Sequence, residues 1–284
     1  MQDRLKLALL LAPALSVIGV LFLGGLAVGM LRSFNYMPVI GLTEPNLDAY
    51  RSLFSLEVLR SLGLTFYIAA TSTLIATLLA VATALLLRRS FPGRALASFL
   101  VQLNLTVPHL VGAIGILYLF SQSGSFARLA HGVSLITKPA DFPAMIFDPY
   151  AIGVILTYVW KEVPFITVIT LATLQTLGDD HESVARSMGA TRGQAFRHVL
   201  LPQILPGVLA ASAIVFAFAF GAYEIPALLG ASHPQTLPVM AYRSYTDVDL
   251  AARPQAMALA MLIALVSAAM IAVYTRALRG KGRS

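Results

Sequence analysis

Six long runs of apolar residues dominate this chain of 284 residues and constrain its fold more than any other feature. They lie at Leu7–Leu31, Leu62–Leu87, Leu96–Phe120, Tyr150–Leu177, Ile204–Gly230 and Gln255–Leu278. A helix needs about 20 apolar residues to cross about 30 Å of hydrocarbon, because each residue adds about 1.5 Å. Each run is long enough, so the sequence predicts an all-α polytopic membrane protein with six transmembrane helices.

The composition excludes several other classes of protein. Charged residues make up 12% of the chain, whereas a soluble domain carries about a quarter, so a soluble globular enzyme is excluded. The absence of cysteine excludes a disulfide framework and a thiolate metal site. The sequence also shows no basic stripe with interleaved aromatic residues, no positioned catalytic triad and no metal-ligand cluster. We therefore expect no catalytic residue, no metal, no cofactor and no nucleic-acid partner.

The lysines and arginines predict the orientation in the membrane. With the N-terminus inside, twelve of them fall in inner segments: Arg4, Lys6, Arg88, Arg89, Arg94, Arg186, Arg192, Arg197, Arg276, Arg279, Lys281 and Arg283. Seven fall in outer segments: Arg32, Arg51, Arg60, Arg128, Lys138, Arg243 and Arg253. Because cationic loops stay in the cytoplasm, this distribution predicts an inner-membrane protein with both termini cytoplasmic.

One inner segment, residues 178–203, is polar and patterned for short helices. Asp179 with Glu182 three residues later has the form of a helix N-cap with a capping box. Gly189 can end this helix, since glycine adopts positive φ at little cost. The apolar residues at helical spacing on its face are Val184, Ala185 and Met188.

A second short amphipathic helix is expected after Gly189. Ala195, Phe196 and Val199 would face inward, and Arg192 and Arg197 outward. We expect two prolines, Pro202 and Pro206, to interrupt the chain before the fifth crossing.

Apart from Arg276, two residues from the end of the sixth run, three charged residues lie within the predicted crossings, where charge is costly. Lys161 and Glu162 are near the middle of the fourth run, and Glu224 is near the outer end of the fifth. Neighbours on a helix point about 100° apart, so Lys161 and Glu162 cannot simply neutralise each other. Two readings stay open for them, an ion pair with another helix or contact with a transported solute. Pro108 in the third run is expected to bend that helix, with a packed, neutral His109 beside it.

Segment 178–203 resembles the EAA loop of binding-protein-dependent ABC transporter permeases. That pattern is Glu-Ala-Ala, three residues, Gly, nine residues, Ile, one residue and Leu-Pro, and Gly189 takes its glycine place. Ser183, Val184 and Ala185 hold the Glu-Ala-Ala places, and a glutamate, Glu182, stands one residue earlier. The resemblance assigns ATPase coupling to Glu182, Ser183, Ala185, Gly189, Val199, Leu201 and Pro202. It extends to Trp160–Phe165 and Phe220–Gly230, and the run 223–230 with Thr236-Leu237-Pro238 is similar to polyamine, iron(III), thiamine and phosphonate permeases.

The resemblance implies a MetI-like type I importer permease fold, with residues 1–284 as a single transmembrane domain. It also implies three kinds of partner: cytoplasmic ATP-binding-cassette ATPase subunits, a second permease subunit in a heterodimer, and a periplasmic solute-binding protein. The chain contains no Gly-x-x-x-x-Gly-Lys-Ser/Thr loop, so another chain must hydrolyse ATP.

The alternative function is an ion-coupled secondary carrier. It would use Lys161, Glu162 and Glu224 as its charge pathway, whereas in the importer the same three residues are candidates for the solute path.

Overall fold

The computed structural model describes residues 2–177 and 180–281. Over these residues it is helical, without a β-strand, and six helical stretches are long and apolar enough to cross a membrane. These stretches are Leu9–Ser33, Leu56–Arg88, His109–Gly132, Ile152–Leu177, Arg192–Gly221 and Leu250–Arg276. The predicted all-α architecture with six transmembrane helices is confirmed.

The helices follow one another in this order: α1 (Gln2–Ile18), α2 (Gly24–Ser33), α3 (Asp48–Ser52), α4 (Leu56–Arg88), α5 (Arg94–Thr106), α6 (His109–Phe120) and α7 (Ser125–Gly132). They continue as α8 (Ile152–Leu177), α9 (Asp180–Ser187), α10 (Arg192–Ala195), α11 (Leu201–Gly221), α12 (Glu224–Leu229), α13 (Leu237–Thr246) and α14 (Arg253–Lys281). Wider π-helical turns at Gly19–Leu23 and Phe196–Leu200 join α1 to α2 and α10 to α11.

Residue contacts divide the chain into two compact units, of which the first comprises residues 1–60 and 237–265. Within it, α2 lies close to α14, because a Cβ on Gly29 would be 3.3 Å from the Cε atom of Met261. Ser33 at the end of α2 shares a hydrogen bond of 2.7 Å with the hydroxyl of Tyr50 on α3. The small residue Gly29 allows α2 to approach α14 closely, as small residues do at helix crossings in membranes.

The second unit comprises residues 61–236 and 266–284, and α4, α8 and α11 form its core. Ala76, Ala80 and Ala84 repeat at intervals of four along α4 and are completely buried. They contact apolar side chains of the other two helices, among them Ile166, Leu174, Ile204, Ala211 and Val215. A hydrogen bond of 2.7 Å between the hydroxyls of Thr77 and Ser212 also connects α4 to α11. This stripe of small residues lets three membrane helices approach closely.

Two predicted crossings differ from the observed helices. The third run does not bend at Pro108 but breaks there, because Val107 and Pro108 are extended between α5 and α6. The fifth run ends as a long helix at Gly221, and Glu224 begins the separate short helix α12. A proline that cannot donate to the preceding turn explains the first difference.

Pro202 and Pro206 do not interrupt the chain, contrary to expectation. The helix continues from Arg192 to Gly221 through both of them. The wide turn at Phe196–Leu200 leaves Pro202 in the first turn of α11, where a missing N–H costs little.

Candidate functional site

The first part of the coupling-loop candidate is α9 with the turn that ends it. The amide of Gly189 donates to the carbonyl of Arg186 at 3.0 Å, and the amide of Ala190 donates to that of Ala185 at 3.1 Å. Gly189 has φ of +90°, so these bonds form a Schellman C-cap, and the predicted glycine stop is confirmed. The predicted N-cap residue, Asp179, lies outside the described residues.

The second part runs without interruption into the fifth transmembrane helix. Thr191 caps α10, because its hydroxyl accepts from the amide of Gln194 while the Gln194 side chain accepts from the amide of Thr191. This capping box is a start signal that the sequence contains and the prediction missed. The inward-facing positions predicted for this helix are correct: Ala195 is buried, Phe196 and Val199 are half-buried, and Arg192 and Arg197 are exposed.

An ion pair connects the loop to the C-terminal end of α4. The guanidinium of Arg88 donates to the carboxylate of Glu182 at 2.9 Å. The Arg88 side chain is 11% exposed and that of Glu182 27% exposed, so water screens this pair less than it screens a surface salt bridge. Glu182 therefore positions α9 against the membrane helices.

The opposite side of α9 is apolar and exposed. Val184 is 59% exposed and Met188 is 84% exposed. At 100° per residue these two lie about 200° to 240° around the helix from Glu182, so they point away from the side held by Arg88. Ser183 and Gly189 are exposed as well, while Ala185 is half-buried. Of the residues to which the resemblance assigns ATPase coupling, Leu201 and Pro202 belong to the first turn of α11.

Lys161 is buried in the second unit, where it satisfies backbone carbonyls. Its ammonium donates to the carbonyl oxygens of Asn104 and Val107, both at 2.6 Å, and reaches the Asn104 side-chain oxygen at 3.4 Å. Three donors thus meet three acceptors. The sequence predicted an acidic partner or the solute for Lys161; instead the structure places it at the end of α5.

Two prolines explain this arrangement. Pro108 cannot donate to the carbonyl of Asn104 four residues earlier, and Lys161 supplies that hydrogen bond. Pro164 in α8 likewise leaves the carbonyl of Trp160 without its helical donor, and the side-chain amide of Asn104 donates to it at 2.6 Å. The carbonyl that Pro108 leaves free on α5 is therefore bonded by a side chain of α8, and the carbonyl that Pro164 leaves free on α8 is bonded by a side chain of α5. Burial in hydrocarbon requires such bonds for backbone groups. Counting four residues back from each proline would have identified both carbonyls from the sequence.

Helix α6 lies close to α8 beside these hydrogen bonds between α5 and α8. A Cβ on Gly112 would lie 2.7 Å from the Cζ3 atom of Trp160 and 3.5 Å from the Cδ atom of Lys161. A side chain at this position would force the Trp160 ring to move, and α6 packs directly on the segment that carries both residues.

Glu162 has a different partner from Lys161. Its carboxylate lies 3.3 Å from Nε2 of His109, the first residue of α6, and only 9% of its side chain is exposed. The His109 side chain is 36% exposed, and its ring lies 4.9 Å from that of Phe218 on α11. His109 is thus partly exposed and in contact with Glu162, rather than fully packed as we predicted.

A cavity of about 640 Å³ opens where two broken crossings meet, between the start of α6 and the junction of α11 and α12. Its walls are formed by Pro108, His109, Leu110, Phe218, Ala222, Tyr223, Glu224 and Ile225. Non-helical backbone at 107–108 and 222–223 borders it, and at membrane depth such backbone is tolerated where it lines a cavity. Of the three predicted path residues, Glu224 lines this cavity, Glu162 contacts its wall through His109, and Lys161 is buried against carbonyls behind it.

Comparison with known proteins gives a family match. Residues 72–279 match the family described as binding-protein-dependent transport system inner membrane component. The molybdenum transport system permease protein ModB of Mycobacterium tuberculosis is 32% identical to this chain over 211 residues, covering 72% of this chain and 73% of ModB.

Two further relatives carry names for other solutes. The probable sulfate transport system permease protein cysT of Marchantia polymorpha is 28% identical, covering 62% of this chain and 58% of its own length. The thiamine transport system permease protein ThiP of Brucella abortus is 28% identical, covering 65% of this chain and 34% of ThiP. The names of these relatives thus refer to molybdenum, sulfate and thiamine, and of the solute group that the sequence predicted only thiamine is among them.

Among solved structures, a crystal structure of a bacterial ABC transporter involved in the import of the acidic polysaccharide alginate has the same fold. A chain of it aligns with a TM-score of 0.80 at 20% identity, covering 98% of this chain and 96% of that chain.

Proposed function

Since the chain belongs to the family of binding-protein-dependent transport system inner membrane components, we propose that it forms a solute path with a second permease subunit and receives ATPase movement through residues 178–203. It is a multi-pass inner-membrane permease subunit of an ABC importer. In our proposal residues 1–284 act as a single transmembrane domain, the second permease is a related but different subunit, and a periplasmic binding protein delivers the solute.

The observation that carries the coupling proposal is the two-sided construction of α9. One side is held to α4 by the Arg88–Glu182 pair, and the other presents Val184 and Met188 to solvent. The helix ends sharply at Gly189 and the chain then enters a single helix from Arg192 to Gly221. A push on the exposed side would therefore be transmitted to α11 as a rigid-body movement, the kind of step that links ATPase closure to a membrane path.

For the solute path we propose the cavity between α6 and the α11–α12 junction. Discontinuous transmembrane helices surround binding and passage sites in transporters because their free backbone groups can face a solute. Glu224 and His109 supply polar groups there, and Glu162 acts by holding His109.

For the solute itself we propose a tetrahedral oxyanion of the molybdate or sulfate type. Support comes from the relatives named for molybdenum and sulfate. The carboxylate of Glu224 in the cavity favours a second candidate, a cation such as thiamine, for which a further relative is named.

Uptake measurements decide between these solutes. Membrane vesicles containing the chain with its partner permease, ATPase and binding protein are expected to accumulate radiolabelled molybdate when ATP is supplied, with sulfate as a competitor. Vesicles without the binding protein serve as the control. Accumulation of thiamine without molybdate or sulfate would contradict the oxyanion assignment, and uptake driven by an ion gradient without ATP would support the secondary carrier.

The proposed orientation places residues 178–203 and both termini in the cytoplasm. Because the chain has no cysteine, single cysteines can be introduced for labelling. An impermeant maleimide added to intact spheroplasts should label Lys138→Cys and leave His181→Cys unlabelled until the membrane is opened; both positions are exposed. Labelling of His181→Cys from outside would contradict this orientation.

A further inference from the structure

A second cavity, of about 550 Å³, lies beside the coupling loop, on the α4-facing side of α9. It is bounded by the C-terminal end of α4, the start of α5, and α9 with α10 and the following turn. Five arginines line it together with one carboxylate: Arg88, Arg89, Arg94, Arg186, Arg192 and Glu182. Such a concentration of one charge around a concave site attracts anions and raises their local concentration.

The positive charge of this cavity is only partly compensated by the protein. Arg88 binds Glu182, and Nε of Arg94 donates to the carbonyl of Leu87 at 2.8 Å. Within the described part of the chain, the side chains of Arg89, Arg186 and Arg192 make no hydrogen bond or ion pair, and all three are exposed. Even with every charged residue of 85–94 and 179–200 counted, the sequence gives six arginines against Asp179, Asp180 and Glu182.

The position of the cavity separates it from the surface proposed for the ATPase. Glu182, Ser183 and Arg186 line it, and these residues fall within about 100° of one another around α9. The exposed apolar residues Val184 and Met188 are on the opposite side of the same helix. A small anion can therefore occupy the cavity while the apolar side of α9 stays available.

We propose that this arginine cavity binds a tetrahedral oxyanion, supplied by the phosphate of an anionic lipid headgroup or by a free oxyanion in solution. Guanidinium groups form bidentate, charge-assisted hydrogen bonds with such oxygens. Basic pockets between transmembrane helices at the inner membrane surface are suited to lipid headgroups. The bound anion connects Arg89 and Arg94 at the α4–α5 turn with Arg186 and Arg192 on α9 and α10, so it holds the coupling loop against the membrane helices.

Binding is measured on the full chain alone, so the result does not depend on transport. Purified protein is placed in nanodiscs of phosphatidylcholine, with or without phosphatidylglycerol, and thermal unfolding is followed with and without inorganic phosphate or molybdate. Unfolding at a higher temperature with phosphatidylglycerol identifies the lipid source. A higher unfolding temperature in phosphatidylcholine on addition of phosphate or molybdate identifies the free anion.

Variants show where the anion binds. Arg89→Gln/Arg186→Gln should weaken anion binding by at least about tenfold, since each removes a charge-assisted contact. Arg197→Gln is the matched control, because Arg197 is exposed in the same loop and does not line the cavity. The proposal is overturned if neither lipid nor free anion stabilises the wild-type chain, or if Arg197→Gln reduces the effect as much as the cavity variant.

Discussion

Replacing Lys161 by methionine is expected to reduce the assembled protein in the membrane severalfold. Methionine has a similar length but cannot donate to the carbonyls of Asn104 and Val107, which Lys161 now satisfies at 2.6 Å. The variant leaves the part-buried carbonyl of Val107 without a donor and that of Asn104 with only the 3.3 Å bond from the amide of Val107. Losing these two hydrogen bonds to a charged donor costs on the order of 3 kcal/mol, a large part of the stability of a typical domain. Size-exclusion chromatography of a fluorescent fusion, extracted from membranes, measures the folded amount.

Double variants separate this capping role from an ion pair. If Lys161 balanced an acid, Lys161→Met/Glu162→Gln would recover protein lost in Lys161→Met. We expect no recovery, because Glu162 bonds to His109 and Lys161 bonds to backbone oxygens. Glu162→Gln alone is the matched control and should retain most of the protein, since an amide can still bond to the histidine. Normal abundance of Lys161→Met, or recovery by Glu162→Gln, would contradict the capping role.

Hydropathy predicts the six crossings because each depends on a property of a whole run of residues. A window of about 20 apolar residues has few alternatives to a membrane helix, whichever side chains it contains. The Gly189 stop was also predictable, since a left-handed C-cap strongly favours glycine. Both predictions used information that is local in the sequence.

The partners of the intramembrane charges were not predictable in this way. Lys161 meets Asn104 across 57 positions of sequence, and Glu162 meets His109 across 53. Charge attraction alone suggested an acid as the partner of Lys161. The carbonyls left free at the Pro108 break lie 2.6 Å from its ammonium and accept its hydrogen bonds instead. The proline itself was visible in the sequence; what was missing was the neighbour that its broken helix would meet.

The helix boundaries around the fifth crossing show a related limit. Pro202 and Pro206 suggested an interruption, yet a wide turn at Phe196–Leu200 moves Pro202 into the first turn of α11, where it fits. Conversely, α11 ends at Gly221 although the apolar run of the sequence continues to Gly230. The break before Glu224 follows from the packing of α12 on α6. Propensity is a weak guide when tertiary contacts decide a boundary.

Replacing Gly189 by aspartate is expected to abolish most transport while leaving the permease at normal abundance. A Cβ at this position would meet no atom within 4 Å, so the fold accepts it apart from a cost of about 1 kcal/mol for the positive φ. The residue is exposed at the end of α9, next to Met188, on the surface proposed to contact the ATPase. There the added carboxylate has to lose its water on docking, which is costly without a partner.

Two matched variants separate backbone strain from interference with docking. Gly193→Asp introduces the same charge four residues later, at an exposed position with open space and an ordinary φ, and should transport normally. Gly189→Asn keeps nearly the same shape without the charge, and asparagine tolerates the left-handed conformation, so its transport should be intermediate. Equal losses in Gly193→Asp and Gly189→Asp would indicate that charge anywhere in the loop is harmful.

Recovery of the ATPase with the permease tests the central claim most directly. The tagged chain is purified from membranes together with its partners, and the bound ATPase and its ATP hydrolysis are quantified per permease. For Gly189→Asp we predict at least about a tenfold loss of bound ATPase or of binding-protein-stimulated hydrolysis, with Gly193→Asp at the wild-type level. Wild-type ATPase recovery and stimulated hydrolysis in Gly189→Asp would contradict coupling through residues 178–203.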